Sequence, residues 1–213
     1  MNLKKPKFWD YKQPNIIAYS LYPLTFLVKL INLFHFKEKK NSNKIKTICI
    51  GNFYVGGTGK TSLAIKIKQL LDKKNIETCF IKKFYKDQTD EQKLLKKYGK
   101  LFSSTKRINS IIQAEKENYQ IAILDDGLQD KSINCDLNFV CFNTINWKGN
   151  GMTIPAGPLR VNMNELRNYD HIFLNGNLEN LDRIKKEIFI INSKINVHIG
   201  KYEPVNINEF DKN

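Results

Sequence analysis

With 213 residues the chain is long enough to bury a substantial core, as one domain with at most a small appendage. A formal net charge of +14 calls for an anionic partner, which nucleic acid, an acidic membrane surface or a phosphorylated substrate would each satisfy. The composition argues against a disulfide scaffold or a zinc module: Cys49, Cys79, Cys135 and Cys141 sit mostly in apolar runs, with no C-x-x-C pair and no histidines beside them, and read as small buried hydrophobes in a reducing compartment.

The first forty or so residues differ in character from the rest. Residues 16–28 are uncharged and mostly apolar, too short a run for the roughly twenty residues that span a bilayer, and Pro23 interrupts them. The apolar character continues past Lys29 through Leu30, Ile31, Leu33, Phe34 and Phe36 with no small-residue cleavage site, unlike a secretory signal. Lys4, Lys5 and Lys7 precede the run, Lys37, Lys39 and Lys40 follow it, and Phe8, Trp9, Tyr19, Tyr22 and Phe26 are interspersed. An amphipathic helix lying on an anionic leaflet needs this arrangement, and a helix packed on its own domain is the competing reading. The chain therefore divides into an N-terminal helical segment at 1–43, expected to associate with a membrane, and a main domain at 44–213.

From residue 44 strand and helix alternate. The pattern predicts strands at 46–50, 77–82, 120–124, 137–142, 171–174, 187–191 and 196–199, and helices at 61–74, 90–98, 110–118 and 177–186. Such alternation implies an α/β fold, a mostly parallel sheet flanked by helices with ligands at the carboxyl ends of its strands.

Between the first strand and its helix lies GNFYVGGTGKT, residues 51–61. A glycine-rich loop here aims backbone N–H groups and the positive end of a helix dipole at one point, which favours a phosphate. The segment Tyr54, Val55, Gly56, Gly57, Thr58, Gly59, Lys60 and Thr61 is the candidate phosphate cradle. Lys60 supplies a point charge for the outer phosphates and Thr61 a hydroxyl for magnesium. Tyr54 stands where the full P-loop pattern has its first glycine, so the match is to GGTGKT alone.

A P-loop protein that turns over nucleotide needs an acidic residue at the end of a neighbouring strand. Residues 121–124, Ile-Ala-Ile-Leu, lead into Asp125, Asp126, Gly127, Leu128 and Gln129. Two adjacent carboxylates repel each other unless a cation relieves them, and Gly127 permits a sharp exit from the strand. Further on, Gly149, Asn150 and Gly151 form a turn, and the prolines of PAGPLR (155–160) make a rigid loop suited to hold Arg160 against phosphoryl charge.

In this order and at about this spacing, GNFYVGGTGKT, DDGLQ, GNG and PAGPLR resemble the tetraacyldisaccharide 4′-kinases, and Pro6, Phe8, Trp9 and the apolar helix are similar to the start of those proteins. The resemblance covers roughly residues 6–170. It implies transfer of the γ-phosphoryl of ATP to the 4′-hydroxyl of a lipid A disaccharide precursor, peripherally at the cytoplasmic face of the bacterial inner membrane. It implies ATP and Mg2+ as cofactors, a glycolipid and an anionic membrane surface as partners, and no nucleic acid. Residue by residue, it implies a catalytic set of Asp90, Asp125, Asp126, Lys60 and Arg160 and a metal set of Thr61, Asp125 and Gln129. Asp90 and Glu91 match an Asp-Glu pair whose aspartate helps deprotonate the sugar hydroxyl, and Arg107 matches an arginine between the motifs.

The sequence departs from the family pattern at several points. Leu128 replaces a phenylalanine, Asp130 a histidine, Gln92 a proline and Val161 a glutamate, and Lys83, before Phe84 and Tyr85, stands where an arginine is usual. Family members also continue into a second α/β domain bearing a histidine partner for the aspartate, so nucleotide binding is the firmer expectation, with Asp130 an alternative base. The other functions weighed are an ATPase of the deviant P-loop class, which carries a lysine where Val55 stands, and a nucleotide-binding or nucleic-acid-binding protein without kinase activity. No helix-turn-helix or zinc-finger pattern supports nucleic-acid binding.

Overall fold

The computed structural model describes residues 5–33, 44–84, 89–130 and 132–201. Lys4, Phe34, Phe36, Lys37, Lys39, Lys40 and Tyr85, named above, lie outside the described residues. A 3-10 turn at Lys7–Asp10 leads into α1 (Ile16–Leu33), whose start is capped by Asn15: its side-chain oxygen accepts from the Ala18 N–H at 2.9 Å. Seven strands follow, β1 (Lys46–Asn52), β2 (Thr78–Lys83), β3 (Leu101–Ser104), β4 (Ile121–Asp125), β5 (Leu137–Asn143), β6 (His171–Asn175) and β7 (Asn196–Gly200). They form one sheet in the order β3-β2-β4-β1-β5-β6-β7, with every neighbouring pair parallel.

Parallel strands buried on both faces need continuous apolar runs, which β1, β2 and β4 supply. The face formed by Ile48, Ile50, Phe80, Ile123 and Cys141 packs under α2 (Lys60–Asp72) and α3 (Thr89–Tyr98) through Leu63, Ala64 and Leu95. On the opposite face α4 (Arg107–Lys116) covers Cys79, Ile81, Ala122 and Leu124 with Ile111 and Ala114. Beside it α5 (Leu181–Ile191) covers Val140, Phe142, Ile172 and Leu174 with Ile184 and Ile188. Burying each of the isoleucine, leucine, valine and phenylalanine side chains among these contributes roughly 1.5–3 kcal/mol. Connections from β1 run to one side of the sheet and β5 begins the other, so the strand order reverses at β1, where an open α/β sheet forms its crevice.

Two expectations fail. Residues 187–191 end α5 instead of forming a strand: Leu181, Ile184, Ile188 and Ile191 recur at helical spacing against the core, while Ile190 is 83% exposed, and this packing overrides the strand preference of the β-branched run. The edge strand β3 was not anticipated, because only Phe102 in its four residues is buried and a single apolar position carries no period. In addition, the sharp exit after β4 is made by Asp126, in the left-handed region at φ 59°. Gly127 is needed for space, since a β-carbon there would lie 2.7 Å from Cys49 Sγ.

α1 hides little of the apolar surface that its described side chains carry. Ala18 and Thr25 are buried, whereas Ile17, Tyr19, Tyr22, Phe26 and Leu27 are each more than half exposed. Among the described residues, no helix is long and apolar enough to cross a membrane. The segment before α1 is fastened to the main body: Trp9 Nε1 donates to Pro155 O at 3.1 Å, and the Asn150 N–H donates to Trp9 O at 3.0 Å.

Candidate active site

The loop after β1 ends at Gly59, whose left-handed backbone (φ 78°) turns the chain into α2, with Lys60 and Thr61 as its first residues. Gly59 brings no side chain to cap the helix, so the N–H groups of the first turn face the crevice. Gly56 is also at positive φ (137°), and a β-carbon on Gly57 would meet nothing within 4 Å, so that glycine leaves open room at the mouth of the loop. Two asparagines that sequence reasoning missed hold the loop in shape. Asn52, at the end of β1, donates to Tyr54 O at 2.5 Å and Gly56 O at 3.3 Å, and Asn175, at the end of β6, donates to Thr58 O at 2.5 Å. The signal for both was a polar residue closing an apolar strand. Tyr54 serves the scaffold: its ring is buried, its hydroxyl donates to Asp10 and accepts from Lys5, and its backbone bridges Leu159. Val55 joins the same loop, its N–H donating to Pro158 O at 2.9 Å.

The two adjacent aspartates point to different partners. Asp125 is fully buried at the end of β4, with Oδ2 accepting from Thr61 Oγ1 at 3.3 Å and from Lys82 Nζ at 2.7 Å. Asp126 turns toward Lys60, 3.7 Å away, and Arg160, at 3.2 Å. Burial pushes the Asp126 carboxyl up, but Lys60, Arg160 and Arg107 more than offset this and hold it below the ordinary carboxylate value. Gln129 does not join Thr61 and Asp125: its amide donates to Asn52 O at 2.7 Å and its oxygen faces Arg160 at 3.4 Å. Arg160 enters the site because PAGPLR runs beside the P-loop, its N–H donating to Phe53 O. Arg107 is buried and braces the turn, donating to Asp126 O at 2.6 Å and Asp130 at 3.0 Å. Burial pushes Asp130 up, and hydrogen bonds from Ser132 and Arg107 reverse this and hold it below its ordinary value, which makes it a poor base.

Lys82 was also missed. It is 1% exposed, lies opposite Asp125 in the β2–β4 register, and bridges Asp125 and Glu91. Its signal was a lysine ending the apolar run Cys-Phe-Ile at 79–81. Burial pulls the ammonium down, but the two carboxylates more than compensate and hold it above the ordinary lysine value. Asp90 is exposed on the first turn of α3, next to Glu91. The lysine thus brings the Asp-Glu pair and the Asp-Asp turn to one end of the sheet.

Around the loop, Asn52 Oδ1, Thr58 Oγ1, Asp125 Oδ1 and Asn175 Oδ1 are buried without a hydrogen-bond partner among the described residues. Buried polar atoms are normally satisfied, so this cluster marks a place built for further polar groups. A free carboxylate oxygen on Asp125, with the Thr61 hydroxyl on its other oxygen, is the donor set a hard divalent cation takes. Fold and site together define a P-loop protein of the nucleotide-triphosphate-binding class.

Comparison with known proteins narrows the class. A family profile described as Tetraacyldisaccharide-1-P 4′-kinase matches residues 17–100 and 86–211. The chain is 58% identical over 212 residues to the tetraacyldisaccharide 4′-kinase of Pelagibacter ubique, covering 68% of that protein, and 35% identical over 196 residues to that of Rickettsia bellii, covering 60%. The crystal structure of LpxK from Aquifex aeolicus in complex with ATP superimposes with a TM-score of 0.62 at 20% identity, over 88% of this chain and 82% of that one, and so shares the fold. The chain belongs to the tetraacyldisaccharide 4′-kinase family.

Proposed function

We propose that the chain transfers the γ-phosphoryl of ATP to the 4′-hydroxyl of a tetraacyldisaccharide 1-phosphate, a step of lipid A biosynthesis, with Mg2+ as cofactor. The observation that carries the reading is the pairing across the P-loop mouth: Lys60 and Thr61 at the start of α2 face Asp126 and Asp125 at the end of β4, with Arg160 beside them. The family to which the chain belongs names the acceptor.

The first-turn N–H groups of α2 and the loop backbone bind the phosphates, and Lys60 lies against their outer end. Thr61 and Asp125 would hold the magnesium ion, which would supply charge neutralisation for the phosphates. Arg160 leaves Asp126 to meet charge on the transferred group, at a distance fixed by the rigid PAGPLR loop. As the acceptor oxygen bonds to the γ-phosphorus, the bridging P–O bond breaks and ADP departs with that electron pair. Asp90 takes the proton of the 4′-hydroxyl. Because the acceptor stays in its leaflet, the enzyme works at the surface, and the exposed apolar side of α1 with the net positive charge supports peripheral attachment at the cytoplasmic face of the inner membrane.

The test is incubation with ATP, Mg2+ and the acceptor in mixed vesicles, with the lipid product read by mass spectrometry. Gain of one phosphate on the distal sugar, dependent on both ATP and protein, is the expected result. An unchanged lipid alongside consumed ATP would reject the reading.

A further inference from the structure

Lysine is a costly residue to bury, because its ammonium loses hydration that only close, well-placed anions replace. An apolar side chain of similar length would fill the space at position 82 at no such cost, so the charge needs its own explanation. Its two partners belong to different elements and to different parts of the site. Asp125 sits on β4, in the middle of the sheet beside Thr61 of the P-loop. Glu91 sits on the first turn of α3, its side chain half exposed, where water alone would satisfy it. Lys82 reaches both from the end of β2, on the face of the sheet that α2 and α3 cover. α3 is also seated through Leu95, more than a turn further along, and through Gln92, buried in its first turn, and the Lys82–Glu91 bridge adds an ionic link from that turn to the sheet.

We propose that Lys82 is a positioning residue for the transfer reaction: clamped between Asp125 and Glu91, it locks the first turn of α3, and with it Asp90, to the phosphate-binding end of the sheet. A proton acceptor on an exposed helix start is effective only if its distance to the acceptor hydroxyl is held, and a displacement of about 1 Å can cost on the order of 10²-fold in rate. The same ammonium gives the buried Asp125 carboxylate a fixed positive neighbour, so the site is already partly charge-balanced before nucleotide arrives. The proposal rests on the reading of Asp90 as base. The mechanical link itself can be tested without turnover.

The experiment compares the full chain with Lys82→Met, Lys82→Arg and Glu91→Gln by amide hydrogen exchange over residues 89–98 in the absence of substrate, and by kcat and KM for ATP in the transfer assay. In Lys82→Met and Glu91→Gln, amides at the start of α3 should exchange about tenfold faster while those of α4 are unchanged, as local release of one helix end predicts. Their kcat should fall roughly 10- to 10²-fold, with KM for ATP within about threefold of wild type. Lys82→Arg, which keeps a cation between the carboxylates, should recover most of both. Glu91 is half exposed, so its variant folds even if Lys82→Met does not. Wild-type exchange and wild-type kcat in Glu91→Gln would overturn the proposal. Activity retained in Asp90→Asn would instead remove Asp90 from the mechanism, leaving the exchange result to judge the link alone.

Discussion

Lys60 heads α2 with its ammonium 3.7 Å from Asp126, inside the crevice and away from the core. Lys60→Ala should therefore leave the fold intact and lower transfer by roughly 10²- to 10³-fold, the usual effect of removing one preorganised charge stabiliser. Steady-state kinetics beside a thermal melt check this, and an undiminished rate would detach the lysine from the phosphates. Asp130 has a different task, since its carboxylate holds Arg107, which in turn holds the turn of Asp126. Its folded-state pKa is depressed, so the stability it contributes is fully present above the unfolded value near 4 and is lost as pH falls through the lower folded value. Asp130→Asn should accordingly cost about 1–3 kcal/mol at pH 7. The gap in Tm to wild type should begin to narrow below about pH 4 and close only below the lower folded value, and a gap independent of pH would contradict the ion-pair account. The phosphate loop and the Asp-Asp turn were legible in the sequence because glycine, lysine, hydroxyl and carboxylate fall there in a short, fixed register. Lys82 and Asn175 were not, because each reaches a partner far away in sequence that sheet order sets and local spacing does not reveal, and Asn52 was not, because a polar residue closing a strand does not show that its side chain will bond the carbonyls of the loop after it.

Among the elements, α1 is the one on which the proposed membrane attachment rests. Its start is capped by Asn15 and the segment before it is fastened through Trp9, yet the helix exposes Ile17, Tyr22, Phe26 and Leu27. Replacing Ile17 and Phe26 together by Asp should abolish sedimentation with anionic vesicles while leaving nucleotide binding and Tm close to wild type, since both side chains are more than half exposed. Vesicle binding that persists would move the contact to the lysine-rich surface of the main body. The strands at the middle of the sheet were legible because burial on both faces demands unbroken apolar runs. The error at 187–191 arose where a β-branched run coincided with helical spacing, and only the packing of Ile184 and Ile188 on β5 and β6 distinguishes the two.

At the scale of the whole molecule, a net positive charge, a helix with an exposed apolar side and a P-loop at the strand reversal lie in one chain, and the proposed reaction uses all three, with a phosphoryl donor from solution and an acceptor held in a membrane. The chain spans 68% of the Pelagibacter ubique relative and about 60% of the Rickettsia bellii one, and within that span lie the P-loop, both acidic motifs and Arg160. A kinase and an ATPase with this site differ in whether ADP release requires the acceptor. The most direct measurement is therefore the ratio of ADP released to lipid phosphorylated, in vesicles with and without the tetraacyldisaccharide 1-phosphate. A kinase gives a ratio near one with acceptor and almost no ADP without it, whereas equal ADP release in both, with the lipid unchanged, would contradict the account.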